Sequence, residues 1–327
     1  MVLLAIGVMA VGCGAPGPAG SAGRLSDATS GAQAPLKHIT IGVSNQPDTR
    51  PSTAQRARII QPLVQSGLTV RDGQSARHPV LAETVPSLEN GFWKLLPDGR
   101  METSWKIREG AQWHDGTPLS TDDLIFSLEV GQDKEMSAFN TPAYRSIENV
   151  TALDARTLVV AWKESSIDAD ALFEGAPGYS GLLPRHLLEE AYRTDKASLL
   201  DLPYWTQDYV GTGPYQVRQW DPGIGVTLDA TSRYVLGRPK IDSIEVKLIP
   251  DANTLSANLL AGTVDITANL GSIDLGVQMR DQWRDGAVSF NLGSGAWVAM
   301  YPQFIDPRPT IVADVRFRKA LAYATVL

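Results

Sequence analysis

The stretch from Trp105 to Ser127 reads WKIREGAQWHDGTPLSTDDLIFS and carries three structural signals in one run. Trp105-Lys106-Ile107 alternates large apolar and polar side chains, the pattern of a strand with one buried face. Asp115-Gly116 then supplies a dipeptide that tolerates positive φ, and Pro118 bars a helix from starting at once. Ser120 or Thr121 can cap the helix that follows, with Asp122 and Asp123 in its first turn against the positive end of the dipole. Leu124, Ile125 and Leu128 give that helix an apolar stripe.

His114 beside Asp115 invites a catalytic or metal-binding reading. Adjacent residues on a turn rarely point at one centre, however. The chain has only four histidines, His38, His78, His114 and His186, none at metal-ligand spacing from another. A structural role fits better: His114 hydrogen-bonds the turn, while Trp105 and Trp113 fill core.

Trp113-His114-Asp115-Gly116-Thr117-Pro118, then Asp122-Asp123 and Phe126-Ser127, resembles the signature of family 5 (the peptide/nickel class) of the bacterial extracellular solute-binding proteins, which serve ABC importers. Other stretches resemble the same family in the same order. They are Gln61-Pro62-Leu63-Val64-Gln65-Ser66-Gly67-Leu68 with Pro79-Val80-Leu81-Ala82-Glu83, then Val210-Gly211-Thr212-Gly213-Pro214-Tyr215, then IPDANTLSANLLAGTVDI from Ile249 to Ile266, and the helix text from Asp314 to Ala324. The resemblance spans about residues 37–324.

At 327 residues the chain has room for two domains of ordinary size, and 43% hydrophobic with 20% charged residues are globular values. A net charge of −7, with no Lys/Arg run, argues against a nucleic-acid partner. The single cysteine, Cys13, excludes an intramolecular disulfide. It follows the apolar run Val2–Val11, and Ala10-Val11-Gly12-Cys13 resembles a bacterial lipobox, which implies lipidation at Cys13 and anchoring by lipid. No Lys or Arg precedes the apolar run, which is also short; a start codon placed too far downstream would account for both. No later stretch approaches the ~20 apolar residues of a membrane span.

Residues 14–36 are small, polar and Pro/Gly-rich, and read as a flexible tether. His38 to Val43 alternates as the first strand, and Ser44-Asn45-Gln46-Pro47-Asp48 leaves it as a polar loop. A helix-like segment spans Ala54 to Leu68, with Ile59, Ile60, Leu63 and Val64 on one face. A hairpin turns at Pro97-Asp98-Gly99, and Ile147–Val150 and Thr157–Trp162 read as strands. Pro184 to Ala191 is a short helix with proline at its start. Gly211-Thr212-Gly213 lacks the Gly-Lys-Ser/Thr ending of a phosphate loop and reads as a tight turn at a lobe junction. A strand from Ile241 to Ile249, a helix through Leu260 closed by Gly262, and Val264-Asp265-Ile266 imply a parallel βαβ unit.

The fold expected from these elements is mixed α/β. The resemblance implies the type II periplasmic-binding-protein architecture, with a lipoprotein signal peptide at 1–13, the tether at 14–36, lobe I from 37–51 and 166–310, an inserted small α+β lobe at 52–165, and the start of a second large lobe at 311–327. Most of that second lobe would be absent, since family members continue well past the Asp314 helix.

The function so implied is binding without chemistry: an extracytoplasmic, lipid-anchored, monomeric substrate-binding lipoprotein of an ABC importer. Its partners would be a peptide or similar small solute, the permease subunits and the membrane, with no nucleic acid, cofactor or metal. Relatives bind peptides, nickel complexes, opines and oligosaccharides, so the ligand stays open. Ser44, Asn45 and Gln46 fall where family members bring chain close to ligand, and Tyr215 and Trp297 offer aromatic walls near lobe junctions. A secreted lipoprotein hydrolase would need a nucleophile and base, yet no Gly-x-Ser-x-Gly elbow or paired His/Asp spacing occurs. A solute sensor that transports nothing has the same sequence features as the importer subunit.

Overall fold

The computed structural model describes residues 36–51, 59–140, 142–175, 181–267, 273–289 and 303–324. In chain order the strands are β1 His38–Val43, β2 Thr69–Arg71, β3 Arg77–Pro79, β4 Trp93–Leu95, β5 Met101–Lys106, β6 Ile147–Ala152, β7 Thr157–Trp162, β8 Glu174–Gly175, β9 Tyr215–Asp221, β10 Gly225–Ala230, β11 Ser243–Leu248 and β12 Ile266–Thr267. The helices are α1 Gln61–Val64, α2 Thr121–Gln132, α3 Pro142–Arg145, α4 Arg185–Thr194, α5 Ala252–Leu260, α6 Ile273–Gln282 and α7 Val315–Ala324. All lie within one unit, Leu36–Leu327.

Alternation in β1 decides the main sheet. Ile39, Ile41 and Val43 face a core that also holds Val226, Leu228, Ile244 and Val246, while His38, Thr40 and Gly42 share the polar face with Ser243, Glu245 and Lys247. The order is β12-β1-β11-β10-β9, with β1 parallel to both neighbours and the remaining pairs antiparallel. Helix α5 connects β11 to β12, so the expected βαβ unit is present with β1 inserted between its strands. Asp251 caps α5, its Oδ1 accepting the Thr254 N–H at 2.8 Å, and Gly262 closes it at φ +69°. The helix lies close on the sheet because residue 42 is glycine: a Cβ there would stand 2.3 Å from Leu255 Cδ1.

A four-stranded sheet, β4-β5-β7-β6, is built the same way. Met101, Thr103 and Trp105 on β5 sit opposite Trp162, Val160 and Leu158 on β7, all fully buried. Removing each large side chain from water contributes about 2 kcal/mol. The Trp162 indole N–H donates to Thr103 Oγ1 at 2.9 Å. The β4–β5 turn is the expected one, with Gly99 at φ +85° and Asp98 accepting the Arg100 N–H. Helix α2 starts after Ser120 and is apolar on more than one side: Leu124 and Leu128 join the core of this sheet, while Phe126 and Val130 enter the core of the five-stranded sheet. Of the expected stripe, Ile125 is only half-buried.

The segment expected as one helix from Ala54 to Leu68 differs. Residues 52–58 lie outside the described residues, and among the described residues of this segment helix is present only at Gln61–Val64, with proline in its first turn. Gln65 is already extended, and Leu68 donates its N–H to the Phe173 carbonyl at 2.8 Å. The chain must straighten here to build the small sheet β3-β2-β8, and Gly67 lets the Phe173–Gly175 backbone approach closely. That sheet pairs β2, inside the 52–165 segment, with β8 beyond it. Helix α7 forms where its text predicts, although none of its residues is buried.

Candidate functional site

Two of the sequence landmarks meet in space. Trp113 and Thr117 close the signature turn, the Trp113 N–H donating to the Thr117 carbonyl at 2.8 Å. The His114 ring does not serve that turn, as its sequence position suggested; it reaches the Gly211-Thr212-Gly213 loop. Nδ1 accepts the Gly211 N–H at 3.2 Å and Nε2 donates to the Gly213 carbonyl at 3.0 Å, while the His114 N–H donates to the Gly211 carbonyl at 2.8 Å. Within the turn the Trp113 and Gly116 N–H groups pair with the Thr117 and Trp113 carbonyls, and the ring bonds outward.

The other polar residues of the signature also hold backbone. Asp123 accepts the Ser120 N–H at 3.0 Å on one oxygen and the Arg185 N–H at 3.0 Å on the other. Ser127 Oγ donates to the Asp123 carbonyl and accepts the Leu183 N–H at 2.8 Å. Asp115 pairs with His186 at 2.7 Å, and the His186 ring meets Trp113 edge-on. Turn, α2, the start of α4 and the loop before β9 thus form one lock.

Burial sets the electrostatics. It pushes His114 down to about 4, against smaller opposing effects of the Gly213 carbonyl and Asp115. Burial likewise raises Asp123, opposed by the hydrogen bonds from Ser120, Arg185 and Trp113. At Asp115 burial acts upward but is outweighed by hydrogen bonds from Thr117 and His186, so its carboxyl sits below the usual range. These are neutral or paired groups built into a scaffold, not an acid–base pair aimed at a substrate.

The open polar surface lies elsewhere, at the carboxyl ends of the parallel strands, where sheets of this kind leave a crevice. Ile249 donates its N–H to the Val43 carbonyl at 2.7 Å, which brings the loops after β1 and β11 together. The loop after β1 is anchored at its far side: Thr49 is fully buried, donates to the Trp205 carbonyl, and accepts from Gln61 Nε2 at 2.9 Å. Gln46 Oε1 accepts the Gly223 N–H at 3.1 Å, leaving Ser44 half-buried and Asn45 exposed at the crest. Gly223 borders a groove of roughly 580 Å³ between the β9–β10 turn and α5, lined by Asp221, Thr227, Glu245, Lys247, Thr254 and Asn258 among others. Sequence reading missed this groove because its residues are single polar positions on four separate elements.

Of the sequence-nominated residues, Ser44, Asn45 and Gln46 therefore share one edge. Tyr215 begins β9 at the opposite end of the sheet, 7% exposed in the core, and is not brought to them. Trp297 and Cys13 lie outside the described residues. Among the described residues no group of His, Cys, Asp and Glu is placed to hold a metal ion, and no helix is long and apolar enough to cross a membrane. Ser243 Oγ stands 2.9 Å from His38 Nδ1, with Glu245 3.8 Å from Nε2. These three sit on β1 and β11, inside the sheet, where backbone N–H groups serve the ladder and are not free to stabilise an oxyanion.

The family model for the bacterial extracellular solute-binding proteins, family 5 (middle region), matches residues 83–325. The chain belongs to that family. It is 28% identical to the oligopeptide-binding protein AppA of Bacillus subtilis over 216 residues, covering 65% of this chain and 37% of that protein. To the dipeptide-binding protein of Escherichia coli it is 23% identical over 260 residues, covering 74% and 46%. Among solved structures, AppA in complex with a nonapeptide matches at TM-score 0.60 and 24% identity, covering 76% of this chain and 47% of that one. NikZ of Campylobacter jejuni in complex with Ni(L-His) matches at TM-score 0.57 and 26% identity, covering 71% and 43%. The fold of this family 5 chain is that of type II periplasmic binding proteins, and the chain spans less than half the length of these relatives.

Proposed function

We propose that this family 5 chain is part of an extracytoplasmic substrate-binding protein of an ABC importer, which takes up peptides or similar small solutes without making or breaking a bond. The observation that carries this reading is the family match over residues 83–325, in a chain whose signature His and Asp are committed to scaffold. Ligand would lie along the carboxyl edge of the five-stranded sheet, where Ser44 and Asn45 offer side-chain polar groups and the loop backbone offers main-chain pairing. Gln46 positions that loop through Gly223. Trp297 is proposed as an aromatic wall, whereas Tyr215 is left with a packing role. Relatives named for peptides and for Ni(L-His) keep both ligand classes in view.

Permease subunits are the proposed partners, and Cys13 the proposed lipid attachment, which metabolic labelling of the wild-type chain against Cys13→Ser would test. The functional reading itself is tested by incubating the purified chain with a defined peptide pool and with Ni(L-His), then analysing the bound fraction by mass spectrometry. The expected result is retention of intact ligand, reduced about tenfold in Asn45→Ala. Recovery of cleaved peptides would replace this reading with the hydrolase.

A further inference from the structure

We propose that His114 is a proton-operated latch between the signature turn and the Gly211–Gly213 loop, closed when the imidazole is neutral and opened when it gains a second ring proton. The argument is geometric and does not depend on which ligand is bound. His114 is 7% exposed, and both ring nitrogens are occupied by the same loop. Only the tautomer with hydrogen on Nε2 satisfies both bonds, donating to the Gly213 carbonyl and accepting the Gly211 N–H at Nδ1. A proton arriving from solvent at Nδ1 sets N–H against N–H in a buried space. One hydrogen bond is lost and two donors repel.

The neighbours do not rescue the cation. Arg233 Nη1 donates to the His114 carbonyl at 3.0 Å and brings positive charge to the same turn. Asp115, the adjacent carboxylate, is engaged by His186 from α4 at 2.7 Å. From the α1 side the groups that face the Gly211–Gly213 loop are neutral: Gln65 Oε1, which accepts from the Tyr209 hydroxyl, and the Val64 carbonyl. Burial holds the ring well below its ordinary value, consistent with a latch that stays shut near neutrality.

The loop has a second attachment that does not titrate. Gly213 donates its N–H to the Val64 carbonyl at 3.0 Å, and Thr212 Oγ1 bonds Ser66 in both directions. Opening the latch therefore leaves the loop with α1 and the five-stranded sheet, and reduces its tie to the turn that leads into α2 to the His114 N–H, which donates to the Gly211 carbonyl at 2.8 Å. A charge change at one ring loosens the junction between the two sheet-bearing halves.

The test is amide hydrogen exchange of the full chain between pH 7 and pH 3.5, read at Gly211 and, as a global reference, at Val246 in the sheet interior. After correction for intrinsic exchange, Gly211 protection should fall by up to about tenfold per pH unit as pH drops from the imidazole's ordinary 6.5 towards about 4, and then level off, while Val246 stays protected. In His114→Gln the Gly211 amide should show no such pH step. Equal pH dependence in the variant, or constant protection in the wild type, would overturn the latch. Should the variant fail to fold, nitrogen-15 NMR of the wild-type ring decides: a neutral Nε2–H form across pH 5–7 supports the proposal, and a ring titrating at its ordinary value overturns it.

Discussion

His114 Nε2 and the Gly213 carbonyl oxygen stand 3.0 Å apart across 99 positions of sequence. That bond joins two stretches which sequence comparison sees as separate landmarks. It needs a neutral histidine ring, and the loop needs glycine because a Cβ would stand 2.0 Å from the Val64 carbonyl oxygen at Gly211 and 2.4 Å from the Val64 carbonyl carbon at Gly213.

Truncating the ring should therefore cost stability rather than binding chemistry. His114→Ala leaves the Gly211 N–H and Gly213 carbonyl without partners in a buried site. A loss of about 2–4 kcal/mol is expected in urea unfolding followed by tryptophan fluorescence.

The same ring gives stability a pH dependence. Its folded value is depressed to about 4 from an ordinary 6.5, so the unfolded chain binds the extra proton first as pH falls. The stabilisation is fully present above 6.5 and is lost as pH drops through 4, amounting to about 3 kcal/mol in all. Asp123 works in the opposite sense, because its carboxyl is raised: its contribution is present at low pH and lost as pH climbs through the folded value. Unfolding free energies at pH 7 and pH 4.5 should differ clearly in the wild type and much less in His114→Gln.

Gly211 and Gly99 separate close approach from turn strain. A Cβ at Gly211 would stand 2.0 Å from the Val64 carbonyl oxygen, so backbone must move, whereas Gly99 at φ +85° has nothing within 4 Å. Gly211→Ala should lose about 3 kcal/mol or more, and Gly99→Ala about 1 kcal/mol. Thermal melts of the two variants side by side check the ranking.

Arg77 anchors the small sheet. It is 13% exposed, bonds Glu174 at 2.8 Å and also pairs with Asp170, while Arg71 holds the other Glu174 oxygen at 2.7 Å. Arg77→Leu strands partly buried carboxylates and should cost about 3 kcal/mol in chemical denaturation, with Arg77→Lys in between because it lacks the planar fork.

Much of the fold was legible in the sequence because its signals were local. Alternation placed β1, β5 and β7, the Asp98-Gly99 turn placed the hairpin, and Gly262 closed α5. At the end of the Ala54–Leu68 stretch, from Gln65 to Leu68, helical periodicity was overridden by pairing between Leu68 and Phe173, over a hundred positions away. The site was legible only in part. A polar loop leaving β1 marks Ser44–Gln46, but nothing local shows that Tyr215 starts β9 at the far end of the sheet. The role of the His114 ring needed the same long-range information, since the residues it bonds have no periodicity linking them to the turn.

The account divides the chain into a scaffold lock at His114 and a ligand-facing edge at Ser44–Gln46. Calorimetric titration of the best-retained ligand, run beside urea unfolding for His114→Ala and Asn45→Ala, tests that division directly. The account predicts that Asn45→Ala loses about tenfold in affinity with unchanged stability, while folded His114→Ala is less stable and binds as the wild type does. Unchanged affinity in Asn45→Ala together with lost affinity in folded His114→Ala would contradict it.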